Sequence, residues 1–148
     1  MDGLMQEFPL TLPHFHARAE RLSADKRVVT VTAAGKVTET YGEWADRTRR
    51  LGGALDELGI GGDGRVARFG WHSSRHLELY FAAPCTGRVL HALNIRLFPE
   101  QLVYVANHAE DEVVFVDLSL ARLVWPLFDQ FKTVHHIVVM DDGTGEVP

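Results

Sequence analysis

Residues 65–93 read RVARFGWHSSRHLELYFAAPCTGRVLHAL, and this stretch decides the fold. Arg65 to Trp71 predicts a strand, Ser74 to Ala83 a helix, and Val89 to Leu93 a second strand. The alternation continues downstream. Pro99 opens a helix to about His108, Val113 to Val116 is a short apolar strand, Leu120 to Phe131 reads as helical, and Ile137 to Met140 is a last strand. Strands that alternate with helices require right-handed crossovers and a mainly parallel sheet.

Upstream the pattern differs. Leu12, Phe15, Ala19 and Leu22 fall at helical spacing, with Pro13 in the first turn, and predict a short amphipathic helix. Val28 to Thr32 and Val37 to Thr40, joined through Ala33-Ala34-Gly35-Lys36, read as a β-hairpin. Thr40-Tyr41-Gly42-Glu43 has the form of a capping box, so a helix begins there. Tyr41, Trp44, Thr48, Leu51, Leu55 and Leu58 line one face of it, until Gly59 offers a stop. The internal pair Gly52-Gly53 costs helix propensity and implies close packing by another element. The expected class is α/β: an N-terminal helix and hairpin, then strand and helix units forming a mainly parallel sheet. Asp141 to Pro148 is polar and Gly-rich and reads as a linker or truncation tail.

The 148 residues are 46% hydrophobic, enough for one core without disulfides or metal. A net charge of −5 with scattered Lys and Arg leaves no basic stripe for phosphates, so nucleic acid is not an expected partner. The single cysteine, Cys85, excludes an intrachain disulfide framework. The start MDGLMQEFPL is unlike a signal peptide, and no apolar stretch is long enough for a transmembrane segment; the expected compartment is cytoplasmic.

Gly59 to Gly64 matches G-x-G-x-x-G, but a helix precedes it and a strand follows, the reverse of a dinucleotide loop. An ordinary turn is expected. No G-x-x-x-x-G-K-[ST] phosphate loop occurs, since Lys26, Lys36 and Lys132 lack the required neighbours. His72 and His76 stand four apart without a third ligand and read as surface or cap histidines, Ser73 and Ser74 making His72 part of a helix cap. His135-His136 lie on opposite faces of a strand, and His14 and His16 are separated around a helix, so no metal is assigned. Cys85 reads as a buried inert thiol, and no G-x-S-x-G elbow supports hydrolase chemistry. In residues 91–102, HALNIRLFPEQL, a strand end meets a helix start at the edge where α/β folds place ligands. His91, Asn94 and Arg96 are the candidate loop residues. The competing reading is that Asn94 and Arg96 only hold the loop to the next helix.

Thr40 to Trp44, Leu58-Gly59-Ile60 leading to Arg65-Val66-Ala67, His91 to Leu102, and Asn107 to Asp111 together resemble the N-terminal region of fatty-acyl-CoA synthetases of the adenylate-forming superfamily. The resemblance runs from about Leu12 to Met140 in the family's order. It implies an incomplete N-terminal subdomain of a ligase that joins a fatty acid to AMP and then to coenzyme A, with ATP, Mg and CoA as its cofactors. The family's Ser/Thr/Gly-rich phosphate loop, later motifs and small C-terminal domain have no counterpart in these residues, so no catalytic, cofactor or metal residue carries over. Two positions depart from the family: Asp63-Gly64-Arg65-Val66 stands where Gly-Asp-Arg-Val is common, and His72 where asparagine is frequent. The expected function is therefore a fatty-acid–CoA ligase fragment, inactive alone. Its alternatives are a non-catalytic interaction or dimerisation module, self-associating through an exposed sheet edge or apolar face, and one part of a split ligase.

Overall fold

The computed structural model describes residues 8–32 and 35–143. Helix α1 (Leu12–Ser23) leads into an antiparallel hairpin of β1 (Arg27–Thr32) and β2 (Gly35–Thr40), in register from Arg27 opposite Thr40 to Thr32 opposite Gly35. Ala33 and Ala34 of the expected turn lie outside the described residues, as do residues 144–148 of the polar tail. Helix α2 (Tyr41–Glu57) starts at a capping box: the Glu43 amide donates to Thr40 Oγ1 at 3.2 Å, and the Thr40 amide to Glu43 at 2.7 Å. Gly59 ends it with a φ of 76°, a left-handed turn that glycine takes without Cβ strain.

Next come β3 (Arg65–Phe69), α3 (Ser74–Cys85), β4 (Val89–Ala92), α4 (Pro99–Ala109), β5 (Asp111–Asp117), α5 (Leu118–Val124), a 3-10 turn (Trp125–Gln130) and β6 (His136–Met140). The four strands are parallel in the order β4-β3-β5-β6. The chain winds outward from β3 to β4, returns past β3 to β5, and winds the other way to β6. The winding therefore reverses between β3 and β5.

Two buried clusters cover the two faces. Leu55, Val66, Leu79, Ala83, Val113 and Phe115 pack under α2 and α3. Ala67, Phe69, Leu102, Val114, Val116 and Leu120 pack under α4 and α5. Successive residues of β3 and β5 enter opposite clusters, which is why both strands read as apolar runs rather than alternating ones. Gly52 permits the α2–α3 approach, because a Cβ there would lie 2.9 Å from Thr86 Cγ2; Gly53 faces open space. Arg88, buried after α3, donates to the Ile60 carbonyl and to Asp56, tying the end of α2 to the start of β4. Nothing in the hydrophobic pattern marks that tie.

Three expectations change. The run Leu120 to Phe131 is not one helix: α5 begins at Leu118 and gives way at Trp125-Pro126 to a 3-10 turn, since proline has no N–H for the α-helical ladder and crowds the preceding turn. Strand β5 is longer than its apolar core, because Asp111 and Asp117 at its ends are buried and bonded. The largest change concerns α1. Its helical stripe does not face the core: Leu12, Phe15 and Leu22 are exposed, while His16, Ala19, Glu20 and Ser23 turn inward. His16 seats the helix, its ring 5.0 Å from Trp44 and 6.2 Å from Phe81.

Candidate functional site

The carboxyl ends of β3, β5 and β6 open into a crevice of about 1320 Å³ between the sheet, the hairpin and the start of α3. This is the point where the winding reverses, and in open parallel sheets ligands bind there because the flanking loops diverge. Asp117 and Trp71 line it, and Gly70 between β3 and Trp71 lets the two meet. A Cβ at Gly70 would lie 2.5 Å from Asp117 Oδ2, so only glycine lets that carboxylate reach the Trp71 amide, which donates to it at 2.5 Å. Burial raises the Asp117 carboxyl above its ordinary value; the Trp71 amide and Arg68, 3.9 Å away, act against that rise. Arg68 is itself buried, and desolvation brings its guanidinium down to about 10.

The walls are tied by long-range bonds. The Ser74 amide donates to Thr30 Oγ1 at 3.0 Å, so the start of α3 is capped by the hairpin and not by Ser73, which makes no side-chain cap bond. His72, expected as part of that cap, instead lines the crevice. Arg75 donates to the Asp141 carbonyl, Ser119 bonds Asp142, and Trp71 Nε1 donates to Ser119 Oγ at 3.0 Å. The tail residues Asp141 and Asp142 thus belong to the rim.

The loop residues picked from sequence lie elsewhere and are not brought together. His91 stands within β4, and its Nδ1 lies 2.9 Å from both carboxylate oxygens of Asp111. The reach crosses β3, where His91 is level with Ala67 and Asp111 with Arg65. The hydrogen bond to Asp111 raises His91 above the ordinary histidine value, against the opposing effect of burial. Asn94 Oδ1 accepts from the Arg96 amide at 3.0 Å, a local turn. The Arg96 side chain is exposed.

His76 corrects a further expectation. It is buried, with its ring 4.6 Å from His72 and 4.7 Å from Tyr80, and desolvation, with Arg68 and His72 adding to it, lowers it to about 4. At this i, i+4 spacing the three rings meet edge to face, with interplanar angles of 69° and 64°. Cys85 is half-buried, and burial pushes its thiol up. Among the described residues no three His, Cys, Asp or Glu side chains gather into a metal-binding group.

The glycine-rich segment is a turn from helix to strand, at the amino end of β3. Four of its amides are engaged within the turn: Gly59 donates to Asp56, Ile60 to Leu55, Asp63 to Gly87 and Gly64 to Gly61. The swapped pair also has a geometric reading. Asp63 takes a φ of 63°, and a Cβ at Gly64 would lie 2.7 Å from Ile60 Cγ2 and 2.9 Å from the Gly61 carbonyl.

Known proteins share this architecture and sequence. The AMP-binding enzyme family matches residues 15–146. The chain is 45% identical over 143 residues to a long-chain-fatty-acid–CoA ligase of Thermus thermophilus, covering 96% of this chain and 26% of that protein. It is 40% identical over 153 residues to a 3-methylmercaptopropionyl-CoA ligase of Ruegeria lacuscaerulensis, covering 100% of this chain and 28% of that protein. The fold is that of the N-terminal domain of FACL13 from Mycobacterium tuberculosis, with a TM-score of 0.79 at 20% identity, covering 89% of this chain and 34% of that one. A benzoate CoA ligase from Burkholderia xenovorans gives 0.77 at 21% identity, over 93% of this chain and 27% of that one. The chain thus spans between a quarter and a third of these proteins, and the match along nearly all of its own length shows that it belongs to the AMP-binding enzyme family.

Proposed function

We propose that these residues form the first scaffold unit of a fatty-acid–CoA ligase. In that reaction the fatty carboxylate displaces pyrophosphate from ATP to form an acyl adenylate, and the CoA thiol then displaces AMP. The observation that carries the reading is the 45% identity to the Thermus long-chain-fatty-acid–CoA ligase, collinear over 96% of the chain. No residue here is assigned to ATP, magnesium or CoA. The glycine-rich turn sits at the amino end of β3, the wrong end of the strand, and the sequence holds no other phosphate cradle. The 148 residues by themselves are therefore inactive in this reading. The unit extends to Met140 with a polar tail, works in the cytoplasm, and takes part in binding a fatty acid only within a complete enzyme.

The test is pyrophosphate exchange with a panel of fatty acids. The 148-residue chain should give none above background. A chimera in which it replaces the matching 143 residues of the Thermus enzyme should exchange in the presence of a fatty acid. Turnover by the chain alone sinks the inactivity, and a folded but inert chimera sinks the ligase reading. A second reading, self-association, is favoured by one feature: β4 and β6, the outer strands of the parallel sheet, each have one edge with no strand partner among the described residues. Light scattering that finds only monomer at high concentration removes it. Co-purification of an adenylating partner from the native host would favour a split ligase instead.

A further inference from the structure

Helix α1 leaves large apolar side chains outside the core. It buries no residue fully, yet it carries Phe15 and Leu22 on its outer side, 61% and 64% exposed. The preceding segment adds Phe8 and Leu10, the latter 93% exposed. Phe15 and Leu22 stand seven residues apart, two helical turns, and so share one side. Arg18 is three residues beyond Phe15 and four before Leu22, which places it beside both. Arg21, three residues further on, continues this margin, and Lys26 and Arg27 follow the helix, all of them exposed.

The charges favour one occupant. The chain carries a net −5, but residues 12–27 hold four basic residues against Glu20 and Asp25. Glu20 turns inward to Arg49 of α2, at 2.6 Å, so it does not neutralise the outer margin. Arg18 and Arg21 make no ion pair among the described residues. An apolar stripe bordered by unpaired cations is the pattern of a helix lying in a lipid interface, with its apolar side among acyl chains and its arginines at anionic headgroups. We propose that α1 docks the protein on an anionic lipid surface, lying in the plane of the interface through Phe8, Leu10, Phe15 and Leu22. This rests on the helix and its charges and does not depend on the ligase reading.

The test is co-sedimentation of the 148-residue chain with phosphatidylcholine vesicles, with and without phosphatidylglycerol. The expected result is binding to the anionic vesicles, weakened by salt and reduced about tenfold or more by Arg18→Glu with Arg21→Glu. Phe15→Ser with Leu22→Ser should abolish it. These residues are exposed, so the variants keep the circular dichroism of the parent. Absence of binding by the folded parent overturns the proposal, and so does binding that neither double variant changes. A dimer that Phe15→Ser with Leu22→Ser dissociates, without vesicle binding, also overturns it and assigns the face to a second copy.

Discussion

The parallel layer, from α2 to β6, turns its apolar residues inward on both faces of the sheet, whereas α1 and the hairpin turn theirs out. Trp44, Leu55, Leu79 and Val113 are buried to within 1% of complete, while Phe15, Leu22, Val29, Val31 and Val37 are each more than half exposed. The periodicities are equally good in the two regions. Spacing therefore identifies a helix or strand but not the side that meets the core, which depends on what the rest of the chain places against it. In α2 the sheet and α3 lie over the apolar face. In α1 the core is reached by a histidine.

The widest separation between the regions is expected in truncations. Leu55→Ala should cost about 3 kcal/mol, since it empties a site closed on all sides, while Phe15→Ala should stay within about 0.5 kcal/mol in urea unfolding. Equal losses would break the comparison and place the α1 stripe in a core. Next is Gly70→Ala, at the seam between the hairpin and the sheet. It should cost about 2 kcal/mol by pushing the buried Asp117 carboxylate off the Trp71 amide, its hydrogen-bond donor. Amide exchange at Trp71 should rise with it. Thr40→Ala removes a cap that is entirely local and should cost about 1 kcal/mol, with the crevice bonds unchanged.

The smallest effect has opposite signs in the two regions. Burial holds His16, under α1, below the ordinary histidine value of 6.5, with Arg49 adding to the lowering and Glu20 opposing it. A lowered folded value means that its contribution is full above 6.5 and is lost as pH falls toward the folded value. His91, in the sheet, is raised by its hydrogen bond to Asp111. Its contribution is full below 6.5 and is lost as pH rises through the folded value. Imidazole titration by NMR should place the two histidines on either side of 6.5, and Asp111→Asn should bring His91 down without moving His16. A His91 that titrates unchanged in that variant would show that the pair across β3 does not form in solution.

The strand and helix order from Thr40 to Met140 was legible because the elements carry their own signals: a capping box at Thr40, glycine at 59, apolar runs for β3 and β5, and proline at 99. The ends of β5 were not, because Asp111 and Asp117 look like solvent-facing residues until His91 and the Trp71 amide arrive from elsewhere in the chain. The crevice was not legible in the sequence for the same reason. Residues 91–102 have the local look of a ligand loop, while the crevice joins Thr30, Trp71, Asp117 and Asp142, which no window of sequence contains.

By itself, the sequence determined the α/β class, the hairpin, the caps and turns, and the resemblance to acyl-CoA synthetases. All of these rest on interactions between residues a few positions apart or on ordered motifs. The tertiary structure alone decided which side of α1 faces out, that Thr30 caps α3, and that Asp117 lies on Gly70. Each of those depends on a contact between residues far apart in the chain, where burial and close approach, not local spacing, set the outcome.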